Sequence, residues 1–318
     1  MKNIDMKLRL FILAMLVSCG ALAQQKPQYT QYIFNGLVIN PAYAGSKDVI
    51  HLNAFYRTQW TGLDGAPTTE SFSIDGVTKS NRIGIGAQAV NDQIGAQRRT
   101  SATLNGAVKL NVSETGVLSL GVAAGASQFR VDRNKLSTID PNDPTIINAE
   151  TNVITPDLRI GLYFHSDRFY LGMSATDLIG TNREITFNTE RNYFLTAGYV
   201  FDLGEHLKFK PSVLMKENFQ GPTNIDLNAF LLVDNRIWLG GSYRTAANIF
   251  QNNFEATSLT TKDAVSVIGE IFLSPKLRLG YSYDFTLTQL NNYNTHEFSL
   301  GVLLFKKAET KMLTPQYF

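Results

Sequence analysis

Histidines are the side chains here that most readily bind metals or carry protons near neutral pH, and the sequence has four: His51, His165, His206 and His296. Their spacing matches no metal-binding pattern. The motifs G-x-S-x-G, G-K-[ST], H-E-x-x-H and C-x-x-C do not occur. Gly84-Ile85-Gly86 continues into a strand pattern and not a helix, which disfavours a phosphate-binding loop. The sequence therefore predicts a protein that is not an enzyme and that uses no metal or cofactor.

The first 23 residues predict a secretory signal peptide. A basic start is followed by the apolar run Leu10 to Val17 and by Ala21-Leu22-Ala23, which has the small residues of a cleavage site. The apolar run is too short to span a bilayer. One alternative stays open, because Leu16-Val17-Ser18-Cys19 resembles a lipobox in which Cys19 would be acylated. Cleavage after Ala23 removes Cys19, the only cysteine, and so excludes disulfides from the mature chain.

Composition limits what the exported chain can be. Of 318 residues, 44% are hydrophobic and only 18% are charged, which excludes a disordered chain. The net charge of +2 gives no basic field for nucleic acid. Mean hydropathy is −0.09, and no segment after Gln24 has the roughly 18 apolar residues of a membrane helix. The mature chain is therefore predicted to be either a soluble protein or a β-barrel.

Period-2 alternation of apolar and polar residues recurs from residue 47 to residue 306 and predicts about fourteen β-strands. Connections after odd strands are mostly long and those after even strands are short, which is typical of a transmembrane barrel. The predicted strands are 47–60, 68–78, 82–90, 98–111, 116–130, 155–165, 168–177, 191–202, 207–217, 223–233, 236–245, 263–273, 277–288 and 295–306. Within the ninth strand, Pro211 cannot donate to a ladder and predicts a bulge or a local break.

The two faces of these strands indicate which side meets lipid. One face is aliphatic and aromatic, and the other is small and polar with scattered charge: Arg57, Lys109, Arg159, Lys208, Asp226, Glu270, Arg278 and Asp284. Fourteen strands enclose a lumen too wide for aliphatic side chains to fill. We therefore expect an all-β, closed, antiparallel transmembrane barrel with its apolar face outward, because a bilayer cannot satisfy an open sheet edge.

Two segments fall outside the strand pattern. The mature N-terminus, residues 24–46, is predicted to lie at the barrel mouth before the barrel of residues 47–306. Tyr29, Ile33 and Leu37 recur at helical spacing, so a short helix ending before Asn40-Pro41 is one interpretation and an irregular leader is the other. Residues 307–318 form a C-terminal tail that ends in Tyr317-Phe318.

The N-terminal residues carry a family resemblance. Gln31-Tyr32, Asn35 and Asn40-Pro41-Ala42-Tyr43-Ala44-Gly45, continued by Arg57, Gln59-Trp60, Gly62 and Gly65-Ala66-Pro67-Thr68, resemble the opening of the PorP/SprF family of Bacteroidetes. The resemblance implies an outer-membrane barrel tied to type IX secretion, which assists secretion or surface anchoring of a large adhesin-like protein in gliding or related functions. It implies no catalytic residues. The candidate partner-binding residues are Tyr32, Asn35, Asn40, Pro41, Ala42, Gly45, Arg57 and Trp60.

Two functions from different classes remain at this point. The first is a non-enzymatic secretion partner that contacts outer-membrane lipid, a cognate adhesin and other type IX components, but no nucleic acid. The second is an outer-membrane porin or a transporter of hydrophobic solutes. A porin is expected to have a constriction loop with clustered charge, and the longest predicted loop, Val131 to Ile154, is only mildly charged. The composition of this loop favours the first function.

Overall fold

The structure, a computed structural model, describes residues 29–135, 152–179, 182–183, 187–188, 190–250 and 262–304. The predicted signal peptide with Cys19, residues 24–28 of the N-terminal segment and the C-terminal tail lie outside the described residues. The described chain is built almost entirely from antiparallel strands. Among the described residues, no helix is long and apolar enough to cross a membrane.

Fourteen strands make up the main sheet. They are β1 (Ile50–Thr58), β2 (Thr68–Val77), β3 (Ile83–Ile94), β4 (Gln97–Asn111), β5 (Val117–Val131), β6 (Asn152–His165), β7 (Phe169–Thr176), β8 (Asn192–Tyr199, continued by Phe201–Asp202), β9 (Leu207–Glu217), β10 (Thr223–Val233), β11 (Ile237–Ala247), β12 (Lys262–Ser274), β13 (Leu277–Thr286) and β14 (Thr295–Leu304). The β7–β8 connection adds a small hairpin of Asn182–Arg183 and Phe187–Asn188. Short 3₁₀ turns lie at Tyr32–Phe34, Gly36–Val38, Pro41–Tyr43 and Arg133–Lys135.

Every strand pairs antiparallel with its neighbours in sequence, and the first and last strands pair with each other. The β1–β14 ladder runs in register from Ile50 opposite Leu304 to Thr58 opposite His296. This ladder closes the sheet and leaves no open edge for the bilayer to satisfy. The predicted all-β fold, a closed antiparallel barrel of fourteen strands, is confirmed.

The two faces of the barrel are sorted as the alternation predicts. On β5, Leu120 and Val122 are about half exposed and point outward, while Ser119 and Ala123 are buried in the lumen. Seven of the eight charged residues assigned to the polar face are at most 7% exposed, and Lys208 lies nearer a rim. An exposed apolar outside and a buried polar inside are the reverse of a soluble barrel, so the outer surface is the one that meets lipid.

Loop length follows strand parity with two exceptions, the β3–β4 connection and the five-residue β9–β10 connection 218–222, which is no longer than connections 78–82 and 112–116 after even strands. Connections 59–67, 132–151, 177–191, 248–261 and 287–294 follow odd strands and are the long ones, whereas the turns after even strands are short. The β10–β11 connection 234–236 is tight because Asp234 and Asn235 both adopt positive φ and the Arg236 N–H donates to the Val233 carbonyl at 2.9 Å, as in a type I′ turn. The predicted long loop at 91–97 is wrong, because β3 and β4 extend toward each other and only Gly95 and Ala96 join them.

Pro211 does not break its own strand, contrary to the sequence prediction. Strand β9 is continuous, and Pro211 pairs in register with Ala229 of β10. The interruption falls on β8, which has a gap at Val200, while the β8–β9 register is the same on both sides of that gap. Proline has no N–H to donate, so the ladder is lost locally without an extra residue or a bulge.

The apolar band is easiest to follow on β4 and β5. Outward residues are apolar from Ala102 to Leu110 and from Leu118 to Ala126, which is about 27 Å along each strand at ~3.4 Å per residue. Beyond this band toward the longer loops, the next outward residues are Thr100 and Gln128. Tilted strands of this length match the roughly 25 Å apolar belt of outer-membrane barrels.

An arginine in the middle of this band should impair assembly. Val122 lies at its centre and is 59% exposed, and arginine near the bilayer midplane costs about 2 to 4 kcal/mol. We expect Val122→Arg to reduce the intensity of the heat-modifiable band of folded barrel on gels of outer membranes. Ile154→Arg is the matched control, because Ile154 pairs with Gln128 beyond the band and is 67% exposed. Equal loss in both variants would contradict the position of the band.

The parity of loop length also predicts orientation, with the longer loops outside the cell. An epitope inserted after Asp64, an exposed residue of the β1–β2 loop, should bind antibody on intact cells. The same epitope between Asp234 and Asn235 should bind only after the outer membrane is permeabilised. The reverse labelling pattern would show that the barrel is inserted the other way round.

Candidate functional site

Residues 29–48, here called the plug, run through the barrel lumen. Near the start of the plug, Thr30 lies beside Asp284 and Glu297 on the side of the longer loops, and near its end Gly45 meets Asp75 and Gly76 on the side of the short turns. The plug thus lies deeper than the predicted position at the barrel mouth. In place of the single helix offered by one interpretation, it forms three short 3₁₀ turns. The lumen is therefore occupied by the chain's own N-terminal segment.

Arg57 ties the start of the plug to the wall. Its guanidinium donates to Glu297 Oε2 at 2.9 Å, to Asp284 Oδ2 at 2.9 Å and to Thr30 Oγ1 at 2.7 Å. The Glu297 carboxylate also accepts the backbone N–H groups of Thr30 and Gln31, at 2.9 and 2.8 Å. All these side chains are buried, and charge-assisted hydrogen bonds are the strong ones. One arginine and two carboxylates thus fix the plug to β1, β13 and β14.

Apolar packing holds the middle of the plug against the wall formed by β9 to β12 and β14. The Phe34 and Phe230 rings meet edge to face with centroids 5.7 Å apart, and the Trp238 indole behind them is fully buried. Polar contacts fix the register, because Tyr32 Oη accepts from Asn228 at 2.7 Å and Asn35 donates to Ser73 Oγ at 2.8 Å. The whole cluster contains Tyr32, Ile33, Phe34, Val38, Ile39, Leu214, Phe230, Leu232, Trp238, Ile268, Phe272 and Leu303.

Asn40 anchors the 3₁₀ turn within Asn40–Gly45, the part of the family resemblance here called the motif. Its side-chain oxygen accepts the N–H of Ala42 and caps the Pro41–Tyr43 turn, with proline in the first position where its missing N–H costs nothing. Its side-chain nitrogen donates to the carbonyls of Leu162 on β6 and Met173 on β7, at 2.8 and 3.3 Å. The motif therefore begins with a residue that joins two strands to the plug.

The barrel wall carries glycines where the motif touches it. A Cβ added at Gly84, Gly121 or Gly161 would overlap Ala44, Ala42 or Asn40, respectively. We call these three wall residues the glycine cradle. Two of the overlaps are with plug backbone, which cannot move aside as a flexible side chain can. The cradle lets plug and wall approach at backbone distance, so glycine in these strands serves packing and not phosphate binding.

Gly45 turns the chain out of the lumen. Its φ is +70°, and a Cβ there would meet the carbonyl of Gly76. The Gly45 N–H donates to Asp75 Oδ2 at 2.9 Å, and the Gly45 carbonyl accepts from Lys109 Nζ at 3.0 Å. Both wall partners are buried. The end of the plug is thus held by one carboxylate and one ammonium from the barrel.

Lys47 is a further plug residue with a buried anchor, and Asp48 after it pairs with Lys109 of the wall. Lys47 Nζ lies 3.2 Å from both the Phe34 carbonyl and His51 Nε2, and burial lowers the pKa of Lys47 well below the ordinary value. Arg278 donates to the same His51 nitrogen at 2.5 Å and to Glu270 at 3.1 Å. His51 is thus a structural residue, held between a lysine and an arginine. Among the described residues, no group of three His, Cys, Asp or Glu side chains could hold a metal ion.

The structure brings most of the eight predicted partner-binding residues into the plug and its first anchor. Seven of them are buried and contact the barrel, whereas Trp60 is only partly buried. The backbone N–H of Trp60 donates to Thr295 Oγ1 at 3.2 Å and joins the β1–β2 loop to the start of β14. The partner-binding role stays a prediction for all eight residues: Tyr32, Asn35, Asn40, Pro41, Ala42, Gly45, Arg57 and Trp60.

Sequence reasoning missed the acidic partners of the plug. Glu297 pairs with Arg57, and Asp75 accepts a hydrogen bond from Gly45, but the members of each pair are brought together only by folding. Nothing in their spacing along the sequence indicates either pairing. Asp284 was placed on the polar face without a partner. The available signal was the charge itself, because acidic residues facing a lumen must find hydrogen-bond donors when they are buried.

Above the plug, toward the longer loops, lies a small cavity of about 80 Å³. Tyr29 and Ile39 of the plug form part of its lining, with Arg99, Lys216 and Arg244 among the charged wall residues. Arg99 is paired with Asp177 at 3.1 Å and Arg244 with Asp226 at 2.8 Å. A cavity of this size holds a few water molecules and not a folded domain.

A closed antiparallel barrel with a lipid-facing apolar band and a polar, plugged lumen defines an outer-membrane β-barrel protein, and the fold of one solved channel structure agrees. The TodX deltaS2S3 mutant monoaromatic hydrocarbon channel is similar at a TM-score of 0.50 and 9% identity, covering 84% of this chain and 92% of that chain. The Acinetobacter baumannii outer membrane protein Omp33 is similar at a TM-score of 0.46 and 9% identity, covering 81% of this chain and 100% of that chain. At these identities the TodX likeness shows the fold alone.

The family follows from the sequence match. Residues 21–302 match the model of the type IX secretion system membrane protein family PorP/SprF, so the chain belongs to that family. The outer membrane is therefore its location, and the resemblance drawn from the N-terminal motif is confirmed. The family is one of secretion-system membrane proteins and not one of enzymes. No curated protein sequence matches this chain.

Removing the Arg57 side-chain charge should loosen the plug. Arg57→Met leaves the carboxylates of Asp284 and Glu297 buried without their main cation, and breaking a buried pair costs about 3 to 5 kcal/mol. We expect a clearly lower temperature of conversion from the folded to the unfolded gel band. Arg168→Met is the control, because its ion pair with Asp202 is exposed and contributes about 0 to 1 kcal/mol. Equal shifts in the two variants would contradict the anchoring role.

Proposed function

We propose that this barrel is a non-enzymatic partner in type IX secretion, which assists secretion or surface attachment of one cognate large adhesin-like protein. Membership of the PorP/SprF family supports association with other secretion components. The observation that carries the proposal beyond the family is the occupied lumen. A plug held by buried ion pairs and backbone-distance packing leaves the barrel better suited to binding a protein than to conducting one.

The partner surface in this proposal is the rim that carries the longer loops. Trp60 lies there, and Tyr193, Phe219 and Phe250 form an aromatic row with ring centroids 5.3 and 5.8 Å apart. Aromatic side chains are enriched in the buried cores of protein interfaces. Seven of the predicted partner-binding residues act indirectly in this view, because they fix the plug and with it the strands that present the loops.

Deleting the gene tests the proposed function. We expect one large adhesin to be lost from the cell surface while other type IX cargo is secreted normally. Complementation with wild-type protein should restore it, and complementation with Val122→Arg, which should assemble poorly, should not. Loss of all type IX cargo would point to a core machinery role. An unchanged surface proteome with altered small-solute uptake would favour the porin alternative.

A disulfide lock tests whether the plug has to move. Asn35 and Ser73 are in hydrogen-bond contact between plug and wall, and the only native cysteine, Cys19, lies in the predicted signal peptide. We expect Asn35→Cys/Ser73→Cys, verified as oxidised on a non-reducing gel, to support cargo display as wild type does. Each single cysteine variant is the control. Loss of display that reductant restores would show that the plug leaves the lumen and that its residues meet the partner.

A further inference from the structure

Two arginines stand directly opposite each other on the outside of the β4–β5 hairpin. Arg98 pairs in register with Arg130, and both are exposed. Their neighbours Arg99 and Phe129 form a cation–π contact at 5.0 Å, and Arg99 also reaches Asp177 within the barrel, so alternation places Arg98 and Arg130 outside. Like charges directly opposite in a sheet are destabilising. Among the ladders of the described strands, this is the only directly paired set of like charges.

Neither guanidinium has a carboxylate partner within the described part of the chain. Arg98 donates to Gln93 Oε1 at 2.7 Å, which leaves its charge uncompensated. The arginines that face the lumen differ, since Arg159 is paired with Asp157 at 2.6 Å. The outward pair therefore differs from the lumen-facing arginines Arg57, Arg159 and Arg278, each of which is paired with a carboxylate.

The height of the pair above the apolar band matches the lipid headgroups. Counting outward residues on β4, Ala102 closes the band, Thr100 follows and Arg98 comes next, about 14 Å beyond Ala102 along the strand. A strand tilt of roughly 40° reduces this to about 10 Å in height. An arginine side chain reaches several ångströms toward the membrane with its charged end, as long basic side chains do at interfaces. The two guanidinium groups thus reach the headgroup layer that borders the hydrocarbon core.

We propose that Arg98 and Arg130 together bind a phosphate monoester of a lipid headgroup in the outer leaflet, because a monoester can carry two negative charges, one for each guanidinium group, whereas the phosphodiesters of common phospholipids carry one. A phosphate between two guanidinium groups converts the repulsion into two charge-assisted, bidentate contacts. The flanking polar residues suit a headgroup, because Gln128 donates to Asn152 Oδ1 at 2.9 Å on the same surface. The exposed residues Asp132, Arg133 and Lys135 follow in the next turn, which therefore carries one net positive charge. The bound lipid anchors the long-loop side of β3–β6 at the membrane surface.

The test measures lipid retention by the purified full-length barrel. Native mass spectrometry after exchange from mixed micelles containing diphosphorylated lipid A should show lipid A bound to the wild-type protein. Arg98→Gln/Arg130→Gln should lower retention about tenfold, as expected for loss of about 1.4 kcal/mol of contact. Arg98→Lys/Arg130→Lys should retain an intermediate amount, because it keeps the charge but not the bidentate geometry. The folded gel band checks that each variant forms the barrel.

Controls separate the source of the phosphate from general charge. Arg236→Gln removes an exposed arginine at the short-turn rim and should leave retention unchanged. Inorganic phosphate in excess should not displace lipid A if the ligand is a membrane headgroup. In nanodiscs of phosphatidylcholine, which has no net charge, the double glutamine variant should be at least as stable as wild type. When lipid A is added to the nanodiscs, wild type should become the more stable of the two. Equal retention by wild type and double variant, equal retention of phosphatidylglycerol, or displacement by inorganic phosphate would each overturn the proposal.

Discussion

The ion pairs between Arg57, Asp284 and Glu297 are the interaction on which the rest of the lumen depends. Three charges are taken out of water there, and the arrangement is stable only while the partners and the hydrogen bonds from Thr30 and Gln31 are all in place. Without the plug, the two carboxylates would face an open channel with a single arginine. The plug thus completes the polar interior of the barrel as much as it fills it.

Barrel width and plug conformation constrain each other. Fourteen strands enclose more space than inward side chains can fill. The plug supplies the missing apolar volume with Ile33, Phe34 and Val38. At the glycine cradle the wall removes side chains so that the plug backbone fits. The lumen is therefore filled in two ways: plug side chains occupy the space in the apolar cluster, and wall glycines make room for the plug backbone at the glycine cradle.

The fold was largely predictable because alternation and loop parity are local properties of the sequence. The course of the plug was not, because 3₁₀ turns have no apolar periodicity and each anchor joins residues far apart, as with Arg57 and Glu297. The tight Gly95-Ala96 turn was missed for a related reason. Polar outward residues such as Asn91 look like loop residues, although they only mark where the strand leaves the membrane.

The residues that carry the family resemblance specify architecture. Asn40 joins β6 to β7 through two carbonyls, Ala42 fits against Gly121, and Gly45 turns the chain toward β1. None of these contacts depends on what the barrel binds, so the same internal motif is compatible with different loops outside. Under the proposed function, the choice of a cargo would therefore depend on the rim and the longer loops. The motif in turn holds the strands beneath them in one arrangement.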